Sequence, residues 1–470
     1  YMRKTIFPVT RIHEPLQVDV EVQAGQVTDA WTGGHLFRGF EKMLRDRDPR
    51  DASLITQRIC GICSTAHGVA AAYALRDAFK LLPTENGELL TNIIFASDML
   101  QNHLRHICFM TAFDYVRGPD QPPFTPVQPG DYRFSRAQND KLVKDMFQGV
   151  DLAVRAHEVT AIWGAKAPHV QTILPTGVTT PVTAERVSAS LAIVRQIADY
   201  TDGTLLPAVQ AIAETYNEYY HLGIGYGNFL SYGMFPEPHN GGLTFKAGRV
   251  VNLGEVRPVD SGQITEAITH AWYQADRPVQ SPLQGETEPA PDKAEGYTYV
   301  KAPRYEAVPY EGGPLARLWI SGQYRRGVSA LDRIMARALE TKIICDYMQD
   351  WLQRLTPGQP SLVPYTLPVA GTGVGLTDAM RGPLGHWLEI GDHHIRNYDI
   401  VTPTSWNFSP RDEQGIRGPA EQALMGAPVQ EEGNFIELAR IIHSFDPCFS
   451  CAIHVLDARG KRLWKRGGSL

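Results

Sequence analysis

Cysteine is scarce in this chain, with six in 470 residues. So few rule out a disulfide framework of the kind that staples small secreted domains. Long apolar runs are absent too, and no stretch reaches the roughly 18 residues that a membrane-spanning helix needs. Basic residues are not in excess: 45 Lys and Arg face 51 Asp and Glu, for a net charge of -6. That balance gives no reason to expect nucleic acid as a partner. Tyr1 to Phe7 lacks the apolar core of a secretory signal. A signal on a partner would still export the chain, so the compartment stays open. Internal repeats and low-complexity tracts are missing. What remains, 43% hydrophobic and 20% charged residues, describes a globular protein able to bury a sizeable core.

Four of the six cysteines fall in two short motifs near opposite ends of the chain. One is Arg58-Ile-Cys60-Gly61-Ile-Cys63-Ser-Thr-Ala-His67, the other Asp446-Pro447-Cys448-Phe-Ser-Cys451-Ala-Ile-His454. In each, the backbone turns once between two thiols, so both sulfurs address one point. Thiolates are soft donors that suit zinc, nickel and iron. A lone pair of this spacing reads as a structural zinc site or a thioredoxin-like redox pair. Two pairs, both set among further polar residues, shift that balance strongly. Cys108 and Cys345 lie in helical patterns and read as buried apolar side chains.

Apolar periodicity gives a coarse order of elements. Residues 5–30 alternate like a hairpin with one wet face, and Leu36–Leu44 reads as a short helix. Helical patterns cover Gly68–Leu82, Asn86–Val116, Ser135–Trp163, Thr183–His221 and Val328–Leu355, with Thr183 as an N-cap. Residues 231–327 read as an irregular, strand-containing insertion, and 360–406 as short strands and turns. A last helical pattern runs from Pro419 to Ile442. The expected fold is mainly α, a bundle of long helices with small peripheral sheets, and the metal site lies between the two cysteine motifs.

These residues resemble the large subunit of nickel–iron hydrogenases. Further matches are Leu36-Phe-Arg-Gly-Phe-Glu41, Arg47-Asp-Pro-Arg-Asp-Ala52, Lys301-Ala-Pro-Arg-Tyr305 and Gly313-Pro-Leu-Ala-Arg317. Arg381-Gly-Pro-Leu-Gly-His-Trp387, Pro403-Thr-Ser-Trp-Asn407 and Pro410-Arg-Asp412 complete the set. The resemblance spans essentially the whole chain. The related large subunit of respiratory complex I shares the fold but lacks the four cysteines. The pattern is most similar to the respiratory uptake branch.

The resemblance implies reversible heterolytic cleavage of H2, with the competing class a non-catalytic protein holding a four-cysteine zinc site. It implies that Cys60 and Cys448 bind nickel alone while Cys63 and Cys451 bridge nickel and iron. The iron would carry cyanide and carbon monoxide, with Arg381 and the Thr404 hydroxyl as their polar partners. The proton acceptor is either the Cys448 thiolate or the Arg381 guanidine, with Asp446 holding Arg381 in place. His67 would orient a cysteine or a carbonyl. A magnesium ion (iron in some members) would be held by Glu41, the Ile400 carbonyl and His454, oxygen-rich as such ions prefer.

Two departures stand out. Asn102 occupies the place of a carboxylate that usually faces the arginine. Arg11-Ile-His13-Glu14-Pro15 puts His13 where a proton-accepting Glu usually lies, so either His13 or Glu14 serves as the relay. The resemblance also implies partners: a small subunit bearing iron–sulfur clusters, a membrane cytochrome or other electron acceptor, and a maturation protease. Residues 1–454 would form the single catalytic domain, and the protease would remove 455–470. By analogy the location is the periplasm or the outer face of the cell membrane, with the cytoplasm as the alternative.

Overall fold

Three glycines spaced two apart meet three alanines spaced four apart, and this contact decides where the first cysteine motif sits. The glycines are Gly371, Gly373 and Gly375 on strand β4 (Gly371–Ala379); the alanines are Ala70, Ala74 and Ala78 on helix α2 (Ser64–Phe79). Period two on a strand and period four on a helix each put three residues in line on one face. A Cβ added at Gly373 or Gly375 would lie 2.0 Å from a carbonyl oxygen of α2, Ala74 or Ala70 respectively. Only bare backbone lets the helix lie so close to the sheet, and Cys63 caps its N-terminus.

In the computed structural model, residues 2–122, 124–125, 130–238, 241–285, 288–430 and 434–452 are described. Strands β1 (Met2–Ile6), β2 (Leu16–Gln23) and β3 (Gln26–Gly34) form an antiparallel sheet in that order. Ala24 and Gly25 join β2 to β3 with φ of 52° and 76°, a turn that matches strand twist. Short α1 (Phe40–Leu44) leads on to α2. Then come α3 (Glu85–Arg105), α4 (Arg136–Gly164), α5 (Ala184–Tyr200), α6 (Pro314–Ser321) and α7 (Ala330–Arg354). Their starts are written in the sequence: Thr84 and Thr183 cap α3 and α5, and α4 and α7 open with full capping boxes at Ser135/Gln138 and Ser329/Asp332. Helix α3 packs on α4 and α7, and α5 on the same two.

Several expectations need correction. The sheets are not all peripheral. Strands β4, β5 (Gly382–Gly391) and β6 (His394–Val401) form one antiparallel meander of long strands that underlies α2 and shares the main core. The chain is therefore a mixed helix-and-strand fold, the alternation in 371–401 being masked because β5 is buried on both faces. The pattern from Pro419 to Ile442 is two helices, α9 (Pro419–Ala423) and α10 (Ile436–Ser444), not one; Gly426 at φ 73° and Pro428 interrupt it. Helix α3 widens into a π-type turn at His106–Thr111, and α5 does so at Thr201–Leu205. Before α9 lies α8 (Pro403–Asn407), and α11 (Phe449–Ala452) closes the described chain. The insertion at 231–327 holds strands of two to four residues and α6. No helix among the described residues is long and apolar enough to cross a membrane.

Replacing Gly375 by Ala should lower stability by about 1–3 kcal/mol through overpacking against α2. Urea unfolding of parent and Gly375→Ala measures it; an unchanged midpoint would contradict the close contact.

Candidate metal centre

The two cysteine turns share one local grammar: an extended residue, then a helix start. Cys60 is extended, Cys63 caps α2, and α11 starts right after Cys448. Although 388 residues separate the motifs, the structure brings them together. Sγ of Cys60 lies 3.4 Å from that of Cys448, Cys63 lies 3.1 Å from Cys451, and Cys448 lies 3.3 Å from Cys451. All four sulfurs fall within 4.8 Å of one another, and all four residues are buried.

Three clamps hold the turns. Arg38 donates to the carbonyls of Arg58 (2.7 Å), Ile59 (2.6 Å) and Ser450 (3.4 Å), so one guanidinium spans both motifs. Gln101 donates to the Ile62 carbonyl at 3.1 Å. His13 pairs in parallel with Cys448, its carbonyl accepting from the Phe449 N–H at 2.9 Å. The loop carrying His13 is itself fixed. His443 contacts the Thr10 carbonyl at 2.8 Å and Asp114 at 2.7 Å, and Arg11 also pairs with Asp114. Burial would raise the Asp114 carboxyl, but Arg11 and His443 outweigh it and hold it down at about 2.

Arg381 occupies the two-residue turn between β4 and β5. Asn407 holds that turn by donating to the carbonyls of Arg381 (3.1 Å) and Gly312 (3.2 Å) and accepting from the Gly312 N–H (2.9 Å). Three separate sequence motifs thus serve one hairpin tip. Nε of Arg381 donates to the Asp446 carbonyl at 2.6 Å; Nη2 donates to Asp446 Oδ1 at 3.0 Å and Asn102 Oδ1 at 2.9 Å. Nδ2 of Asn102 donates to the other carboxylate oxygen of Asp446 at 2.9 Å. An amide can do both; a carboxylate there would face Asp446 as a like charge. Nη1 of Arg381 is buried and has no hydrogen-bond partner among the described residues. Arg381 lines a small cavity together with Cys63, Cys451, His67, Thr404, Leu384, Ala379 and Pro403. The Thr404 hydroxyl accepts from the Cys448 N–H at 3.1 Å, which leaves its own proton to donate.

Charge runs on behind the cavity in a network that sequence reasoning missed. Arg337 pairs with Asp446 at 3.2 Å and contacts His103 Nδ1 at 3.1 Å. His103 Nε2 contacts Glu340 at 2.8 Å; Arg317 on α6 pairs with Glu340 at 2.6 Å and Asp378 at 3.1 Å. Only the motif Gly313 to Arg317 and the charged positions of an otherwise apolar α7 hinted at it.

Electrostatics follow from this packing. Burial disfavours a charged Arg381, but Asp446 and the sulfurs of Cys448, Cys63 and Cys60 outweigh it and raise its pKa, so the guanidinium keeps its proton. Asp446 is likewise driven well down by Arg381, His106 and Arg337 against its burial. Cys448 is lowered, since hydrogen bonds from the other three thiols and the Arg381 charge overcome burial. Cys63 is raised by its bonds to Cys448 and Cys451, and Cys451 by burial and its bond to Cys448. His13 is lowered by burial. Glu14 is exposed and accepts from the Ser450 hydroxyl at 3.2 Å.

Two of the three residues expected around a magnesium ion, Glu41 and Ile400, lie together. Glu41 accepts from the Ile400 N–H at 3.0 Å, and on a strand a residue's N–H and C=O face the same side. Burial pushes Glu266 up to about 7 and Asp399 to about 6; the Glu41 charge adds to both, and Lys301 opposes it. His454 and the tail lie outside the described residues.

This is the catalytic architecture of a nickel-dependent hydrogenase large subunit, and the chain belongs to that family: the family model "Nickel-dependent hydrogenase" matches residues 38–120, 123–328 and 321–454. The periplasmic [NiFeSe] hydrogenase large subunit of Desulfomicrobium baculatum is 36% identical over 97% of this chain and 95% of its own length. The hydrogenase-2 large chain of Escherichia coli K12 is 30% identical over 98% of both, and the uptake hydrogenase large subunit of Rhodobacter capsulatus is 29% identical over 98% of this chain and 96% of its own. A solved structure of the reduced Ni-Fe-Se hydrogenase from D. vulgaris Hildenborough superposes with a TM-score of 0.93 at 36% identity, covering 96% of this chain and all of that one. The chain is a hydrogenase catalytic subunit that cleaves H2, and, as a large subunit, it works with a small one. A plain zinc site is not favoured: four sulfurs alone would suit zinc, but zinc has no use for the cavity with its unpartnered Nη1.

His103 gives a pH signature. Burial first, then the nearby arginines, lower its pKa from 6.5 to about 4 despite Glu340. Between those values the unfolded chain binds a proton that the folded chain refuses, so stability is full above 6.5 and falls as pH drops towards 4. From pH 7.5 to 5 this group should cost about 2 kcal/mol. Urea unfolding at both pH values should show a loss about 2 kcal/mol larger in the parent than in His103→Asn, since buried His106 contributes equally to both; equal losses would contradict the assignment.

Proposed function

We propose that Cys60 and Cys448 bind nickel, that Cys63 and Cys451 bridge it to iron, and that the iron carries cyanide and carbon monoxide ligands on the cavity side. The observation that carries this reading is the convergence of four buried sulfurs beside a cavity with one unpartnered guanidinium N–H and one hydroxyl proton to spare. Apolar Leu384, Ala379 and Pro403 exclude water there, which strengthens each polar contact. When bound, the metals supply the Lewis acid that splits H2 heterolytically and takes its electron pair.

The chain's own groups handle the two protons, one after the other by the same route. Cys448, lowered by its sulfur neighbours and by Arg381 so that it stands as a thiolate, accepts each; Arg381 remains charged and steadies the negative sulfurs. Asp446 and Asn102 aim Arg381, and His67 orients a cysteine on the cavity wall. His13, neutral and paired through its backbone with Cys448, is the next acceptor, and exposed Glu14 passes the proton to water. Electrons leave to a small subunit bearing iron–sulfur clusters, and from there to a membrane cytochrome or comparable acceptor.

Glu41, the Ile400 carbonyl and His454 hold magnesium (or Fe2+). Three carboxylates, buried Glu266 with half-buried Glu41 and Asp399, face Lys301 and, at Asp399, Arg45, an excess of negative charge that favours a divalent ion. Residues 1–454 act as one catalytic unit, and a protease removes 455–470 once nickel is in place. The family match ending at residue 454 supports that boundary.

Elemental analysis of the active enzyme should give nickel and iron near one each, apart from clusters on the small subunit, with infrared bands of carbonyl and cyanide. Zinc alone would refute the reading. Among relay variants, His13→Gln should slow H2 oxidation at least tenfold at unchanged nickel content, and Glu14→Gln by much less; the reverse order would make Glu14 the first acceptor. Intact mass of the active subunit should end at His454, and a nickel-loaded, active chain still carrying Trp464 would overturn the processing step.

A further inference from the structure

A buried hydrogen-bond chain leads away from His67 on the cavity wall. His67 Nδ1 lies 3.1 Å from His386 Nε2, and His386 Nδ1 lies 2.7 Å from the Tyr398 hydroxyl. All three residues are buried. The His386 and Tyr398 rings meet edge to face at 77°, so their mutual orientation is fixed by packing. His386 comes from β5 and Tyr398 from β6; His386 is register-paired with Ile400, two residues beyond Tyr398. At the near end, His67 shares the cavity wall with Cys63 and Cys451.

The direction of this chain follows from its last member. A phenol always carries a donor proton near neutral pH, and burial raises the Tyr398 pKa further. Among the described residues the Tyr398 hydroxyl meets no acceptor other than His386 Nδ1. If His386 donated from Nδ1 instead, a buried hydroxyl proton would be left unsatisfied, the costlier arrangement. Tyr398 therefore donates, His386 carries its proton on Nε2 and passes it to His67 Nδ1, and His67 must carry its own proton on Nε2. The second nitrogen of a ring near a metal sets what the first can do.

We propose that Tyr398 and His386 are positioning residues that fix the His67 tautomer, so that His67 offers an N–H from Nε2 on the wall it shares with the bridging-type cysteines Cys63 and Cys451. A donor there spreads the negative charge of a thiolate, whereas the other tautomer would turn a lone pair towards it. The consequence for turnover rests on the nickel–iron reading above; the tautomers themselves do not.

The test starts with the metal-free full chain, labelled with nitrogen-15 histidine and read by two-bond proton–nitrogen correlation. Spectra of His67→Gln and His386→Gln identify the two signals. The expected result is Nε2–H for both rings in the parent, with a shift towards Nδ1–H in Tyr398→Phe. Nδ1–H at His67 in the parent would overturn the proposal, and so would tautomers unmoved by Tyr398→Phe. Should Tyr398→Phe not fold, the parent spectrum alone decides. In the loaded enzyme, the nitrogen coupling of His67 to the nickel electron spin, read by pulsed electron paramagnetic resonance, should be lost or cut sharply in Tyr398→Phe at equal nickel and iron content. An equal coupling would count against it. A parent without H2 activity would refute the hydrogenase reading and leave the tautomer assignment standing.

Discussion

Burying four thiolates together is the constraint on which the rest of this structure depends. In a low-dielectric interior such charges persist only if something positive meets them. The nearby protein does not supply a surplus. Arg381, Arg337 and Arg317 are matched by Asp446, Glu340 and Asp378, with His103 held neutral between them. This network is electrically closed, so the charge on the sulfurs is left for metal cations to meet. Without metal the sulfurs share protons instead, three thiols leaning on the Cys448 thiolate, and metal entry must displace those protons.

The fold answers a second demand, which is to bring two distant turns to one point and hold them there. Small residues do this on one side: the glycine face of β4 lets α2, and with it Cys63, sit directly on the sheet whose next turn carries Arg381. Long polar side chains do it on the other. Arg38 grips backbone carbonyls of both cysteine turns, and Asn407 pins the Arg381 turn to Gly312. Strand β6 then carries Tyr398 towards His67 and Ile400 towards Glu41, so the two candidate metal sites share one rigid support.

Much of the site was legible in the sequence because its chemistry is carried by rare residue types at fixed spacing. Arg381 and Thr404 were named only through the family resemblance, whereas the cysteine pairs signal themselves. Capping residues such as Thr183 marked the helix starts for the same reason. Fully buried strands did not, since β5 shows no alternation to distinguish it from other apolar runs. Nor did the network of Arg337, His103 and Glu340: its members lie on two helices far apart in sequence, and only tertiary packing brings them together. The split of the Pro419–Ile442 pattern was missed because its apolar spacing outweighed the breaks at Gly426 and Pro428. Asn102 and His13 were visible as departures, yet their effect needed coordinates: the amide bridges Arg381 and Asp446, and the His13 backbone docks the second cysteine turn.

Anomalous diffraction from crystals of the loaded enzyme, collected on either side of the nickel and iron absorption edges, puts the central claim to its most direct test. It should show one nickel within bonding distance of the sulfurs of Cys60, Cys63, Cys448 and Cys451, and one iron reached only through Cys63 and Cys451. A single ion of another element at the centre of the four sulfurs, or separate ions on each cysteine pair, would contradict it.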